Sequence, residues 1–245
     1  MTTQPASSPA AVVQLAGKSD DLDSLGENIT HCRACPRLVE WRERVAAEKR
    51  KSFAHQKYWG RPVPGFGDDH PAVLIVGLAP AAHGGNRTGR VFTGDRSGDW
   101  LFASLCRVGL ANQPEAVSID DGLTLRRTRI LAAVRCAPPA NKPTTLERDV
   151  CSVWFDKELE LIRPHLRVVL SLGAFAWGAT LSALERAGGQ LPSPRPRFGH
   201  GAQTNVDGLT VLGCFHPSQQ NTFTGKLTEG MLDEVLRAAA AHAGL

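Results

Sequence analysis

The sequence predicts an α/β fold, a three-layer αβα sandwich in which helices cover both faces of a central four-stranded parallel sheet. Four short runs rich in Val, Ile and Leu have the length and continuous apolarity of fully buried strands, at residues 73–78, 129–134, 168–172 and 209–215. Each run precedes a loop and then a segment with helical periodicity. Repeated strand, loop and helix units favour parallel strands joined by right-handed crossovers.

Four helical segments follow these strands in order. In the first, Leu101, Leu105 and Val108 recur on one helix face after a possible cap at Ser97. Residues 150–161, 174–186 and 227–242 predict three more helices. Residues 188–204 contain several prolines, so we expect an irregular surface loop there.

Composition predicts one soluble domain. The chain has 245 residues, of which 42% are hydrophobic and 21% are charged, and this is enough to bury a substantial core. Residues 1–27 are rich in Ala, Ser and Thr with little sustained periodicity, so we expect a mobile N-terminal tail there. Residues 28–245 are expected to form a single domain.

The net charge of +4 is mild, but basic residues are concentrated between positions 33 and 61. A patch for an acidic partner such as DNA and an ordinary solvated helix face explain this stretch equally well. No apolar run is long enough to span a bilayer, and no secretory signal precedes the domain. We therefore expect a cytoplasmic protein without a membrane partner.

Six cysteines in a reducing cytosol favour metal or cluster ligation over disulfides. Cys32 and Cys35 form a C-x-x-C pair, and Cys136 and Cys151 lie at the end of a predicted strand and the start of a predicted helix. Four thiolates can hold zinc or a [4Fe-4S] cluster. The alternative is reduced cysteines that only pack, which is the interpretation we favour for the two others, Cys106 and Cys214.

Three loops of unusual composition are expected together, because ligands of open α/β sheets bind beyond the carboxyl ends of the strands. They are GLAPAAHGGNRTGRVFTGD at 77–95, RCAPPANKPT at 135–144 and CFHPSQQNTF at 214–223. The first loop matches neither of the glycine-rich nucleotide motifs, so a nucleotide cofactor is not expected.

In this order, and with the four cysteines, the loops closely resemble the iron–sulfur uracil-DNA glycosylases, in detail the type B branch called family five. The resemblance covers roughly residues 28–243. It implies an enzyme that excises uracil from double- and single-stranded DNA, leaving an abasic site for base-excision repair. It also implies a [4Fe-4S] cluster on Cys32, Cys35, Cys136 and Cys151. We expect a monomer in the bacterial cytosol or nucleoid.

The resemblance also implies the catalytic residues. His216 matches the catalytic histidine, whose donor stabilises the negative charge that develops on O2 of the departing base. Asn141 matches the asparagine that pairs with the edge of uracil, although a turn role is the alternative. Asp95 resembles an acid implicated in this branch. It is equally a candidate N-cap of the following helix, so its role is open.

Other residues in these loops are candidates for the pocket and for DNA contact. Phe92 stands where the family places its base-stacking aromatic, and packing in the core is the alternative. The first loop has alanines where relatives carry a polar or acidic residue, which implies a pocket that accepts hypoxanthine and other deaminated bases. The further pocket candidates are Gly77, Ala79, His83, Asn86 and Ser218, and the candidate DNA contacts are Arg90, Gln219, Gln220 and Lys226.

Two functions of other classes remain open from the sequence. One is a noncatalytic protein that binds DNA damage, suggested by alanine in place of an acid at positions 79, 81 and 82. The other is an RNA- or nucleotide-handling hydrolase built on the same sheet. An excision assay separates both from a glycosylase.

Overall fold

The computed structural model describes residues 5–245 and contains, in that range, a six-stranded sheet and nine α-helices. The strands are β1 (Phe66–Gly67), β2 (Val73–Gly77), β3 (Thr128–Ala132), β4 (Val168–Leu172), β5 (Gln203–Val206) and β6 (Leu209–Cys214). The helices are α1 (Pro9–Gly17), α2 (Leu22–Thr30), α3 (Pro36–Glu48), α4 (Gly85–Thr88), α5 (Arg96–Arg107), α6 (Thr145–Ile162), α7 (Ala174–Arg186), α8 (Gln219–Phe223) and α9 (Glu229–Ala243). None of these helices has both the length and the apolarity that a bilayer crossing requires.

The sheet has the strand order β1-β3-β2-β4-β6-β5, and its four inner strands are parallel. Alternate residues of the inner strands enter two separate cores. Ile75 of β2 packs with α5 and α9 on one face, whereas its neighbours Leu74 and Val76 pack with α6 and α7 on the other. The predicted αβα class is therefore confirmed, and all four predicted strands form the parallel core.

The sheet is wider than the predicted four strands because an antiparallel strand covers each edge. β1 has only two residues, too few for a periodic pattern. β5 lies partly within the stretch expected to be loop, and three of its four residues are not buried. Of the two candidate caps of α5, Asp95 rather than Ser97 occupies that position.

The mobile-tail interpretation is wrong for most of the N-terminal segment, although residues 1–4 of that tail lie outside the described residues. Asp21 and Ser24 form a reciprocal capping box at the start of α2. Val12 of α1 and Ile29 of α2 are buried in one cluster with Trp154 of α6. These two helices therefore pack on the domain, beside the end of β3.

Candidate functional site

The loops that follow β2, β3 and β6 surround a cavity of about 630 Å³ at the carboxyl edge of the sheet. Eight of the predicted site residues line it: Ala79, Phe92, Asp95, Asn141, His216, Ser218, Gln219 and Gln220. Leu78, Arg96 and Ser97 also line the cavity, and the sequence did not predict them as site residues. Arg96 and Ser97 begin α5 and directly follow Asp95 in the chain. That proximity to a predicted site residue could have indicated that they line the cavity.

Phe92 forms one wall of the cavity and also belongs to the core between the sheet and α5. Its φ angle of 53° lies in the left-handed region, which is rare for a bulky residue. Two glycines make room for it. A Cβ at Gly77 would lie 2.7 Å from the Phe92 ring, and a Cβ at Gly98 would lie 1.7 Å from the Phe92 carbonyl oxygen. Gly77 therefore supports the wall without lining the cavity.

His216 lies two residues after the end of β6, and its ring is next to that of Phe92, with ring centroids 5.8 Å apart and planes inclined by 33°. Its backbone carbonyl accepts a 2.8 Å hydrogen bond from Nδ2 of Asn221 in α8, which fixes the turn after the strand. Burial lowers the pKa of the imidazole to about 4. At neutral pH the ring is therefore uncharged and carries one N–H donor.

Asp95 combines the two roles that the sequence left open, since it is a helix cap and also lines the cavity. Its Oδ1 accepts a 3.0 Å hydrogen bond from the backbone N–H of Gly98. Burial raises the pKa of this carboxyl group above its ordinary value. Gly84 leaves the space that the other oxygen needs, because a Cβ there would lie 2.1 Å from Oδ2.

Asn141 lies at the rim, at the end of a short 3₁₀-helix that spans Pro139–Asn141. Asn141 and the preceding Ala140 both have positive φ angles, 55° and 52°. Within residues 5–245 no hydrogen bond to the Asn141 side chain is made, and the residue is exposed. Its carboxamide is therefore free to donate to and accept from a ligand.

His83 and Asn86 lie outside the cavity lining, contrary to their predicted place in the pocket. Nδ1 of His83 is 3.1 Å from the hydroxyl of Tyr58. Asn86 is buried, and its Nδ2 donates to the backbone carbonyls of Arg42 and Ala82. Both side chains make contacts that hold the first loop in place, on the side away from the cavity.

Arg90 is not available for the DNA contact predicted from the sequence. Its side chain is 2% exposed, and its guanidinium donates to both carboxylate oxygens of Asp121 at 2.9 and 2.6 Å. Its Nε donates to the hydroxyl of Thr93. Asp121 is 31 residues away in the chain, so the pairing depends on tertiary structure that local sequence does not reveal.

We expect Arg90→Gln to destabilise the protein by about 1.5–3 kcal/mol, because it removes the charged donors of the Asp121 carboxylate and leaves it only backbone N–H donors. The affinity for DNA of the folded fraction should be unchanged. Denaturant unfolding and a binding titration measure the two effects. An unchanged unfolding free energy together with weaker DNA binding would reverse this assignment.

Lys226, Gln219 and Gln220 remain accessible to a large ligand. Ser218 caps α8, which places both glutamines on its exposed first turn beside the cavity. Lys226 is exposed, and its Nζ lies 4.8 Å from the ring centroid of Phe215. Their roles in contacting DNA stay predictions.

Cys32, Cys35, Cys136 and Cys151 line one small cavity between the α2–α3 turn, the segment after β3 and α6. All are free thiols, and as they stand no three His, Cys, Asp or Glu side chains in residues 5–245 form a metal-ion site. Burial raises the pKa of Cys35 to about 12 and that of Cys136 to about 11. Cys106 and Cys214 lie elsewhere, in α5 and β6.

Buried N–H donors surround this cavity. Arg42 donates to Sγ of Cys136 at 3.0 Å, and the backbone N–H of Arg135 donates to Sγ of Cys151 at 3.2 Å. Four further side-chain donors have no partner among the described residues: Nε of Arg42, Nε and Nη1 of Arg135, and Nε1 of Trp154. Since buried polar groups are normally satisfied, these donors suit an anionic group with several acceptors.

A sheet with a parallel core, helices on both faces and a cavity beyond its carboxyl edge is the architecture of ligand-binding α/β proteins. The chain belongs to the uracil DNA glycosylase superfamily, whose family model matches residues 64–240.

Similarity to individual proteins is high within this family. The chain is 55% identical to a Type-5 uracil-DNA glycosylase of Mycobacterium tuberculosis over 232 residues, 94% of this chain and 85% of that protein. It is 48% identical to the Type-5 uracil-DNA glycosylase of Thermus thermophilus over 226 residues, 92% of this chain and all of that protein. A Type-4 uracil-DNA glycosylase of Pyrobaculum aerophilum is 26% identical over 201 residues. The predicted family resemblance is confirmed.

Proposed function

We propose that the protein excises uracil from DNA by hydrolysing the N-glycosidic bond, leaving an abasic site for repair. The observation that carries this proposal is the cavity in which Phe92, Asn141, His216 and Asp95 meet. Membership of the family and high identity to Type-5 uracil-DNA glycosylases support the same activity.

The cavity suits a base rotated out of the duplex. Flipping costs a few kcal/mol of unstacking and unpairing, least for a mispaired base such as uracil opposite guanine. Stacking on an aromatic ring returns about 1–3 kcal/mol per base. The Phe92 ring, held in place by the backbone, supplies that surface.

Two polar groups then act on the base. The Asn141 carboxamide, free at the rim, pairs with O4 and N3–H of uracil. The neutral imidazole of His216 donates its N–H toward O2, where negative charge develops as the bond breaks. A donor already in position stabilises this transition state without reorganisation.

The sugar acquires positive character as the base departs, and water must then add to it. Asp95 is the acid that lines the cavity, so we assign it the stabilisation of the sugar or the orientation of water. Hydrogen bonding to Gly98 occupies one of its oxygens and fixes the carboxylate.

The substitution Asp95→Asn separates chemistry from capping, because asparagine is as good an N-cap as aspartate. We expect the single-turnover excision rate to fall by about 10²-fold while the melting temperature is unchanged. An unchanged rate would leave Asp95 as a cap only. The neighbouring Asp99→Asn, on the exposed face of α5, is the matched control and should behave as wild type.

The substrate range is proposed to extend to hypoxanthine and other deaminated bases. Ala79 and Ala81 present only methyl groups to the cavity, whose volume of about 630 Å³ leaves room for a purine. Ala81→Leu should therefore lower the excision rate for hypoxanthine relative to the rate for uracil.

A [4Fe-4S] cluster on Cys32, Cys35, Cys136 and Cys151 is proposed as a structural cofactor. The unsatisfied donors of Arg42, Arg135 and Trp154 fit an anionic group in this cavity. When bound, the cluster would join the α2–α3 turn to the sheet and α6. Because glycosidic hydrolysis transfers no electrons, it has no redox role in the reaction.

Single-turnover assays on duplex and single-stranded DNA with one uracil test the function. Abasic product from uracil, and none from thymine at the same position, is the expected result. Tight binding to uracil-containing DNA without product would instead identify a noncatalytic damage-binding protein. Activity on free nucleotides alone would identify a nucleotide hydrolase.

A further inference from the structure

Residues 49–61, called here the basic segment, differ from the rest of the chain in charge. They contain Lys49, Arg50, Lys51, Lys57 and Arg61, and the chain has no Asp or Glu from position 49 to position 67. The preceding helix α3 is also rich in arginine, but it contains three glutamates.

Pairing separates the two stretches. Within and beside α3, Arg33 pairs with Glu43, Arg37 with Glu147 and Arg44 with Glu40. In the basic segment Arg50, Lys51 and Lys57 are exposed, and none of them forms an ion pair with any residue from 5 to 245. The alternative explanation, an ordinary solvated helix face whose charges are neutralised, therefore holds for α3. It does not hold for the basic segment.

Specific contacts fix the basic segment against the first loop. Arg87, buried in that loop, donates to Oε1 of Gln56 and to the carbonyl of Gly94, and its guanidinium lies 4.0 Å from the ring centroid of Phe53. The backbone N–H of Trp59 donates to the carbonyl of Arg87. Gly94 directly precedes Asp95, so the same arginine ties the basic segment to the cavity wall.

These contacts place the basic segment at the edge of the sheet where the cavity opens. The first loop follows the carboxyl end of β2, and residues 78–94 of that loop contain no acid. Exposed cations beside such a loop produce a positive potential that extends over about a Debye length, roughly 8–10 Å at physiological salt.

We propose that Arg50, Lys51 and Lys57 bind phosphates of the DNA strand that flanks the flipped nucleotide. This inference rests on the proposed function. Three free cations match a polyanion, whereas contacts with phosphates carry no sequence information and so suit an enzyme that acts at any position. Arg90 was the predicted contact with the DNA backbone, but it is buried. We assign that contact to these three side chains instead.

Two triple variants that remove the same charge test the proposal. One carries Arg50→Gln, Lys51→Gln and Lys57→Gln. The control carries Arg126→Gln, Arg127→Gln and Arg167→Gln, which remove exposed arginines just before β3 and β4 at the opposite edge of the sheet. Fluorescence anisotropy with duplex DNA over a range of salt gives the dependence of log K on log salt concentration for each protein.

We expect the basic-segment variant to lose about 3 from the magnitude of the salt slope, about 1 for each phosphate contact, and the control to match wild type. Equal slopes for the two variants would overturn the proposal. If the triple variant has a lowered melting temperature, the single variant Lys51→Gln provides the test. The magnitude of its salt slope should fall by about 1, and an unchanged slope would also overturn the proposal.

Excision measured over a range of enzyme concentrations keeps the two claims apart. The basic-segment variant should need more enzyme than the control variant to reach half of its maximal single-turnover rate, because it binds the DNA more weakly. A wild-type protein that removes no uracil would refute the proposed function, and the slopes on undamaged duplex would still decide whether the basic segment binds DNA.

Discussion

Replacing His216 with Ala is expected to slow uracil excision by roughly 10²–10³-fold, the usual effect of removing one preorganised donor from a developing anion. The imidazole lies beside the Phe92 ring in the cavity lining, and its low pKa leaves it neutral in the free protein. It therefore acts as a hydrogen-bond donor rather than as a cation. Single-turnover rates at saturating enzyme measure the loss directly.

Affinity for uracil-containing DNA should be largely retained in His216→Ala, because the ring lines the cavity beside Phe92 and is neutral, so it adds no charge for binding phosphates. His216→Asn, which keeps a side-chain donor at a different reach, should recover part of the rate. Wild-type rates in the Ala variant would remove His216 from the mechanism. A parallel loss of DNA affinity and of melting temperature would instead give it a structural role.

Replacing Cys151 with Ser is expected to abolish the brown absorbance and the iron content of the purified protein. Metal ligation is coupled to folding, so we expect a loss of several kcal/mol, which for a domain of this size lowers the melting temperature by about 10 °C or more. Cys151 lies in α6, which packs against both N-terminal helices and the sheet. Iron analysis, visible spectra and thermal unfolding test the three effects.

Cys106→Ser is the matched control, since Cys106 lies in α5 away from the four-cysteine cavity. It should keep iron and absorb like the wild type. Stoichiometric zinc and no iron in the wild-type protein would overturn the cluster assignment. Retention of iron in Cys151→Ser would remove this residue from the ligand set.

The sequence was sufficient for the elements whose patterns are local. The inner strands β2, β3, β4 and β6 are short and mostly apolar, and each predicted boundary lies within two residues of the observed one. The three loops could be placed together because parallel topology fixes where strand ends meet. Eight predicted site residues consequently line one cavity.

Features that depend on tertiary partners were missed. Arg90 is a basic residue in a loop beside the cavity, so the sequence suggests a DNA contact. Its pairing with the distant Asp121 is visible only in the structure. The N-terminal helices contain readable signals, the Asp21–Ser24 box and the Leu25 and Ile29 spacing. Each helix has only nine residues, too few to be stable alone, and packing on α6 stabilises both. β5 is a polar edge strand whose pairing with β6 defines it.

The backbone strain at Phe92 is incurred when the protein folds, not when DNA binds. A left-handed backbone at a bulky residue is unfavourable by about 1–3 kcal/mol, and the surrounding loop, with glycines at 77 and 98, holds it in the absence of DNA. That cost is therefore part of the stability of the free protein. An incoming base meets a finished surface, and little of the stacking energy is consumed in ordering the enzyme.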